Sequence, residues 1–280
     1  MLNVIVPYRD RDRQKKILVD ELYNFLETNI EEPFRIFLVE QNDDKKFNKG
    51  SLINAGFTEV NKISAEGDYY CLHDVDLIPN SDKANYNRPP EHSIIHPYGH
   101  EHCLSNIIVI NQDTFLKMNG FSNKYWGWGY EDTDFYFRAR YHGVKVIRSD
   151  FTKRFESKVY KELDKQTHKD LIEKNNKPAA QINRILFENT VIKPEITKDE
   201  GLSTIKYTLV KKEEREKHTH IAVKIDNINH NDQYEKELID YQKLFNPGKL
   251  NLISLIQVIG YLIYHNFPVP TWKKKKKEED

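Results

Sequence analysis

Cysteine is scarce. The 280 residues hold two, Cys71 and Cys103, too few for a disulfide framework and at no metal-type spacing, so a reducing compartment is expected. An excess of charge of one sign is also missing. Lysine plus arginine and aspartate plus glutamate stand at 43 each, so the whole-chain field makes no case for nucleic acid, and any basic surface has to be local. No apolar run reaches the ~20 residues that a membrane-spanning helix needs. The start of the chain runs from Met1 straight into LNVIVPYRDR, which reads as a core strand and not as a leader. These absences predict a cytoplasmic protein with neither signal peptide nor transmembrane anchor.

What is present is an α/β pattern. Hydrophobic residues make up 38% and charged residues 31%, enough for a buried core under a charged surface. Residues 2–6 are a β-branched run stopped at Pro7, residues 14–29 repeat apolar side chains at helical spacing, and residues 34–39 are a second strand. A chain that begins β-α-β implies a parallel pair with a crossover helix. Residues 40–57 read as a polar loop entering a short helix. Further strands are expected at 68–72, 105–111, 144–147, 202–210 and 219–225, with a short helix at 113–118 and charged, helical or irregular chain at 151–176.

Three stretches carry chemistry. Arg9, Arg11 and Arg13 follow the first strand's C-terminal end, where open α/β sheets bind ligands. HDVDLIP (73–79) follows the third strand. Read as extended chain, it puts Asp74 and Asp76 on one face and Val75 on the other. Two carboxylates side by side suit a divalent cation with hard oxygen ligands, against the plainer reading of a solvated acidic loop. The organising stretch is NGFSNKYWGWGYEDTDFYFR (119–138). Gly127 and Gly129, alternating with Trp126 and Trp128, let the backbone turn sharply. The indoles offer flat faces to a sugar ring, and Glu131, Asp132 and Asp134 open a helix whose N-terminus favours negative charge. The plainer reading is an aromatic core turn with an acidic cap. His92, His96, His100 and His102 are metal ligands by type, although most such histidines are simply exposed polar residues.

Taken together, VPYRDR (6–11), FNKGSLINAGF (47–57), HDVDLIP (73–79), NGFSNKYWGWGYED (119–132) and EGLSTIKY (200–207) resemble the β-1,4-galactosyltransferase family, glycosyltransferase family seven, and within it the branch that galactosylates xylose on proteoglycan linkers. The resemblance implies a GT-A fold with a mixed, Rossmann-like sheet over residues 1–225, a UDP-sugar donor, manganese or another divalent cation, and inversion at the anomeric carbon. It implies that Pro7, Arg9, Arg11, Phe47, Lys49, Asp74 and Val75 serve the donor. Asp76 is implied as the metal ligand, Trp128 as the platform beneath donor and acceptor sugars, Glu131 as a hydrogen-bond contact to the donor galactose or the acceptor, and Asp132 as the catalytic base. Four departures stand out. Lys49 replaces the usual arginine, Thr133 replaces an aspartate that helps hold the acceptor, and Ser105-Asn106 replaces Gly-Gly, with Cys103 near the pocket for the donor's 2-substituent. The expected histidine ligand after the acidic helix has only His168 as its nearest candidate.

Galactose and N-acetylgalactosamine both stay open as the donor sugar, and the acceptor is a glycan or glycoconjugate of unspecified structure. A module that binds sugar nucleotide or glycan without efficient turnover is the alternative. The animal enzymes' N-terminal anchor has no counterpart here, which predicts a bacterial or viral source. Residues 226–280 read as a helical extension. Its apolar run at 250–267 is expected to dock on the core, or else to lie on a membrane surface with Trp272 and lysines 273–277 drawn to anionic lipid.

Overall fold

The computed structural model describes residues 1–154, 156–164 and 177–228. His168, the expected helix near 234–245, the apolar run 250–267 and the lysine tail lie outside the described residues. In chain order the elements are β1 (Leu2–Tyr8), α1 (Asp12–Asn29), β2 (Phe34–Gln41), α2 (Lys49–Asn61), β3 (Tyr69–His73), β4 (Leu77–Pro79), β5 (Ser93–Gly99), β6 (Ile107–Asn111) and α3 (Gln112–Lys117). There follow α4 (Glu131–Tyr141), β7 (Lys145–Ile147), β8 (Thr152–Lys153), β9 (Tyr160–Glu162), α5 (Lys177–Ile192), α6 (Ile196–Asp199), a 3-10 turn (Leu202–Thr204), β10 (Tyr207–Glu214) and β11 (Thr219–Ile225).

The sheet is mixed, in the order β10-β11-β2-β1-β3-β6-β5-β7, with β8 beside β5. β1 pairs in parallel with β2 and with β3, so the expected β-α-β start holds. β6 then runs antiparallel to β3. β1 is buried on both faces, as a central parallel strand must be. Val4 and Val6 pack toward α1 with Leu18, Leu22 and Leu38, whereas Ile5 packs toward α2 with Leu52, Phe57 and Val39. This is the two-residue alternation of a strand meeting a helix on each side. Gly56 lets α2 close on β2, since a Cβ there would lie 2.7 Å from Val39 Cγ2. Among the described residues, no helix is long and apolar enough to cross a membrane.

Two expectations fail locally. The strand expected from 202 begins at Tyr207, because 201–204 is tied to the Asn119 turn instead. Leu202 N–H donates to Asn119 O (2.6 Å) and Ser203 N–H to Asn119 Oδ1 (2.8 Å). Gly201 sits at φ +144°, where a Cβ would collide with the Asn119 carbonyl. In the 151–176 region the described residues include the short strands β8 and β9, and β9 pairs antiparallel with β4.

Candidate active site

The C-terminal ends of β1 and β3 and the N-termini of α2 and α4 meet at one cleft. On the β3 side, residues 74–76 form a turn and not the extended segment expected from sequence. Leu77 N–H donates back to Asp74 O at 3.4 Å. Strand alternation therefore does not relate Asp74 to Asp76. Val75 does bury, into the α1-side core. Asp74 is held at both ends by Asn106: Asp74 N–H donates to Asn106 O (2.9 Å), and Asn106 Nδ2 donates to Asp74 Oδ2 (3.0 Å). Asn106 has φ +65°, a left-handed conformation that asparagine tolerates better than most residues. Thus Asn106 keeps the backbone shape that a glycine would supply and adds a hand on Asp74. Next to it, neutral His73 fixes the strand end. Burial lowers its pKa to about 4, its Nδ1 hydrogen-bonds Asp74 O (2.8 Å), and its Nε2 pairs with the Tyr86 hydroxyl (3.0 Å).

On the opposite side the two tryptophans part company. Trp126 is wholly buried in the core, while Trp128 is 40% exposed. Gly127, between them, and Gly129, just after Trp128, turn the chain at φ +78° and +100°, and a Cβ at Gly127 would lie 2.9 Å from Ala179 Cβ on α5. Asn183 of α5, itself fully buried, gathers this loop: its Nδ2 points at the carbonyls of Trp126 (3.2 Å), Trp128 (3.3 Å) and Gly129 (3.0 Å). Glu131 and Asp132 then open α4 as expected. Phe135 stacks on Phe121 with ring centroids 3.8 Å apart, a contact worth about 0.5–1.5 kcal/mol beyond its burial.

Lys49, the first residue of α2, joins the two sides. Its ammonium lies 2.9 Å from Asp74 Oδ1 and 3.2 Å from Asp132 Oδ1. Burial works against the charged lysine, but Asp132 and Asp74 outweigh it and hold its pKa well above the ordinary value. Burial pushes the Asp132 carboxyl up to about 8; Lys49 opposes the rise, and Glu131 and Asp74 add to it. Burial also raises Glu131, against the pull of Lys49. Leu104 N–H anchors the Asp132 carbonyl (3.1 Å), which brings the Cys103 loop to the same place. Burial and then the Asp132 charge push the Cys103 thiol up to about 12.

The remaining expected residues line the same end of the sheet. Pro7 and Lys49 border a small cavity behind Asp74. Arg9 lies over the Phe47 ring, 5.8 Å from its centroid, and donates to the Lys45 carbonyl. Arg11 is the N-cap residue of α1, without a side-chain cap bond. A separate hollow of about 350 Å³, bordered by Asn80, Tyr98, Tyr160 and Glu162, includes none of the residues singled out from sequence. Its chemistry is unremarkable beside the convergence of carboxylates at Lys49, which we take as the functional centre.

Among the described residues, no group of three or more His, Cys, Asp or Glu side chains is placed to hold a metal ion. His96 is buried and bonded to Ser105 O (3.0 Å) and Arg148 Nε (3.0 Å), so it is committed to structure. Asp76 nonetheless fits a hard cation. Burial and then the Asp74 charge push its carboxyl up to about 6, against the pull of Arg154, so a positive ion there would relieve crowded negative charge. Leu163 N–H holds the Asp76 carbonyl (2.8 Å), fixing the turn against β9.

Sequence reasoning missed the supports behind the site. Arg138, fully buried on α4, donates to Asp134 Oδ2 (2.6 Å), Glu200 Oε2 (2.9 Å) and Glu200 O (2.7 Å), which explains why EGLS belongs with the acidic helix. Asn54 Nδ2 donates to Asn123 Oδ1 (2.9 Å) and to Phe121 O (2.7 Å), and Asn123 Nδ2 donates to Gly201 O (2.6 Å). The i,i+4 spacing of Asp134 and Arg138 was readable as an ion pair; the asparagine partners, 69 positions apart, left no local signal.

Comparison with known proteins identifies the family. Residues 1–89 match the N-terminal region of glycosyl transferase group 7, and residues 92–162 match the N-terminal domain of galactosyltransferase. The chain is 28% identical to β-1,4-galactosyltransferase 4 of Cricetulus griseus over 79% of its own length and 62% of that protein. It is 37% identical to the xylosylprotein 4-β-galactosyltransferase of Caenorhabditis elegans over 49% of each chain. A crystal structure of a Drosophila β-1,4-galactosyltransferase 7 mutant, in complex with manganese, UDP-Gal and xylobiose, superposes with a TM-score of 0.64 at 27% identity, covering 82% of this chain and 96% of that one. The chain spans about half to three fifths of the length of these curated relatives. They are animal proteins and lend no support to a bacterial or viral source.

Proposed function

Because the chain belongs to the β-1,4-galactosyltransferase family, glycosyl transferase group 7, we propose that its GT-A domain transfers galactose from UDP-galactose to a sugar hydroxyl with inversion. The observation that supports this reading is the Lys49 ammonium shared between Asp74 and Asp132, since one charge then links the residue proposed to serve the donor with the half-buried residue proposed as base. In the proposed reaction Pro7, Arg9, Arg11 and Phe47 hold the nucleotide, and Asp74 orients the donor. Trp128 stacks beneath the sugars, and Glu131 hydrogen-bonds the acceptor. Asp132 takes the proton of the acceptor hydroxyl while that oxygen bonds to the anomeric carbon. The bond from that carbon to the diphosphate oxygen breaks, and UDP departs on the opposite face. Asp76 would hold a divalent cation, manganese being the ion in the Drosophila complex. When bound, that ion neutralises charge on the leaving diphosphate.

Xylosides are the first acceptors to try, given the xylobiose in the Drosophila complex. N-acetylgalactosamine is the competing donor sugar. UDP release from UDP-galactose with manganese, measured with and without xylosides and other sugars, tests the reading. Acceptor-dependent release supports it. UDP binding without turnover across the panel favours the second reading, a sugar-nucleotide or glycan-binding module. The lack of three converging metal ligands among the described residues favours that module; the assembled Asp132 favours the enzyme. Both cysteines are free, in keeping with a cytoplasmic location. Peripheral membrane contact through the tail is tested by vesicle flotation, with lysines 273–277 changed to glutamine as the comparison.

A further inference from the structure

The acidic centre holds three carboxylates and one ammonium. Lys49 from α2 contacts Asp132, and Asp74 from the turn after β3, Glu131 from its own helix and the Cys103 thiol from the loop before β6 interact with it electrostatically. Of these only Lys49 is cationic. Its contact is to Asp132 Oδ1, whereas Oδ2 makes no hydrogen bond among the described residues. Leu104 N–H pins the Asp132 backbone, so Lys49 meets a carboxyl group whose root is fixed. We propose that Lys49 is a positioning residue that sets the basicity of Asp132, acting through a charge it shares with Asp74. The role assigned to Asp132 rests on the transferase reading; the coupling between the two side chains does not.

Burial and two neighbouring carboxylates favour the protonated form of Asp132, and the ammonium alone favours the ionised form. A base works best with a pKa near the operating pH. Each further unit by which it exceeds the assay pH removes about tenfold of the ionised fraction. A lysine suits the task because a compact charge on a flexible stem can serve carboxylates on two different elements. A planar arginine fork would pair bidentately with one of them. The bridge also makes a prediction about Asp74: neutralising it removes a like charge and leaves the ammonium to Asp132, so Asp132 should become more acidic.

The test uses the full chain. The Asp132 carboxyl is titrated by infrared or carbon-13 difference against Asp132→Asn, without substrate, in wild type, Lys49→Gln, Lys49→Arg and Asp74→Asn. In parallel, kcat with UDP-galactose, manganese and a xyloside is followed across pH. We expect Lys49→Gln to move the Asp132 titration and the acidic limb of kcat upward by about one unit or more. Its turnover at neutral pH should fall by about tenfold or more and recover in part in alkali. Lys49→Arg keeps a cation at the site but would pair with one carboxylate, so it should move the limb less than Lys49→Gln does, and Asp74→Asn should move the titration down. Should Lys49→Gln not fold, the opposite shift in Asp74→Asn still decides. An unmoved Asp132 titration in both variants overturns the proposal and leaves Lys49 as a donor contact only. Absence of turnover in wild type would instead defeat the transferase reading, while the carboxyl titration still judges the coupling.

Discussion

Replacing Arg138 with methionine should cost the protein about 3–5 kcal/mol, the range for removing one partner of a buried charge pair. Arg138 and Asp134 are both fully buried, at 2.6 Å, so solvent does not screen the pair. The guanidinium also supplies the Glu200 carboxylate and the Glu200 carbonyl, which fasten the 197–201 segment to α4. Burial already pushes the Asp134 carboxyl up, and Arg138 is what opposes it. In the variant Asp134 should therefore take up a proton, and the loss of stability should grow as pH rises. Against a typical total of about 5–15 kcal/mol, this is a large fraction. Urea or guanidinium denaturation of wild type, Arg138→Met, Asp134→Asn and the double variant measures both the loss and the coupling. A loss below about 1 kcal/mol, with additive single effects, would refute the view that this network joins the EGLS segment to the acidic helix.

Other outcomes follow from the same geometry. Trp128→Ala, which removes an exposed platform and no core packing, should raise the acceptor KM by about tenfold, corresponding to about 1.4 kcal/mol; UDP affinity should stay near wild type, and a matching loss of UDP binding would contradict the role given to the indole. His73 and His96 are buried neutral, with pKa values lowered by burial to about 4 and about 3 from 6.5. Their contribution to stability is complete above pH 6.5 and is lost progressively as pH falls toward those values. Thermal melts between neutral and acid pH should show that decline, and it should be shallower in His73→Gln, which removes one of the two titrating groups.

The α/β frame was legible because its signals are local. The β-branched run at 2–6 and the helical spacing of Leu18, Leu22 and Leu26 each appear within a few residues and reappear in the structure. The acidic opening of α4 was legible for the same reason. The Asp74–Asp76 turn was misread as extended, because the contacts that bend it come from far along the chain: Asn106 on one side and Leu163 on the other. The start of β10 was placed too early because Asn119 captures residues 202 and 203 by hydrogen bonds that no periodicity encodes. The Lys49 position drew notice as a substitution for arginine, but its bridge between two carboxylates depends on α2 and α4 meeting across the sheet's end, which is a property of the assembled fold.

The proposed mechanism gives Asp132 the proton of the acceptor hydroxyl, in a cleft expected to bind donor without it. The most direct measurement compares wild type with Asp132→Asn for galactose transfer from UDP-galactose to a xyloside with manganese, alongside UDP affinity by calorimetry. Transfer should fall by about a hundredfold or more, the scale of a lost general base, while UDP binds with little change. Transfer that persists in Asp132→Asn at a rate near wild type would contradict the mechanism at its centre.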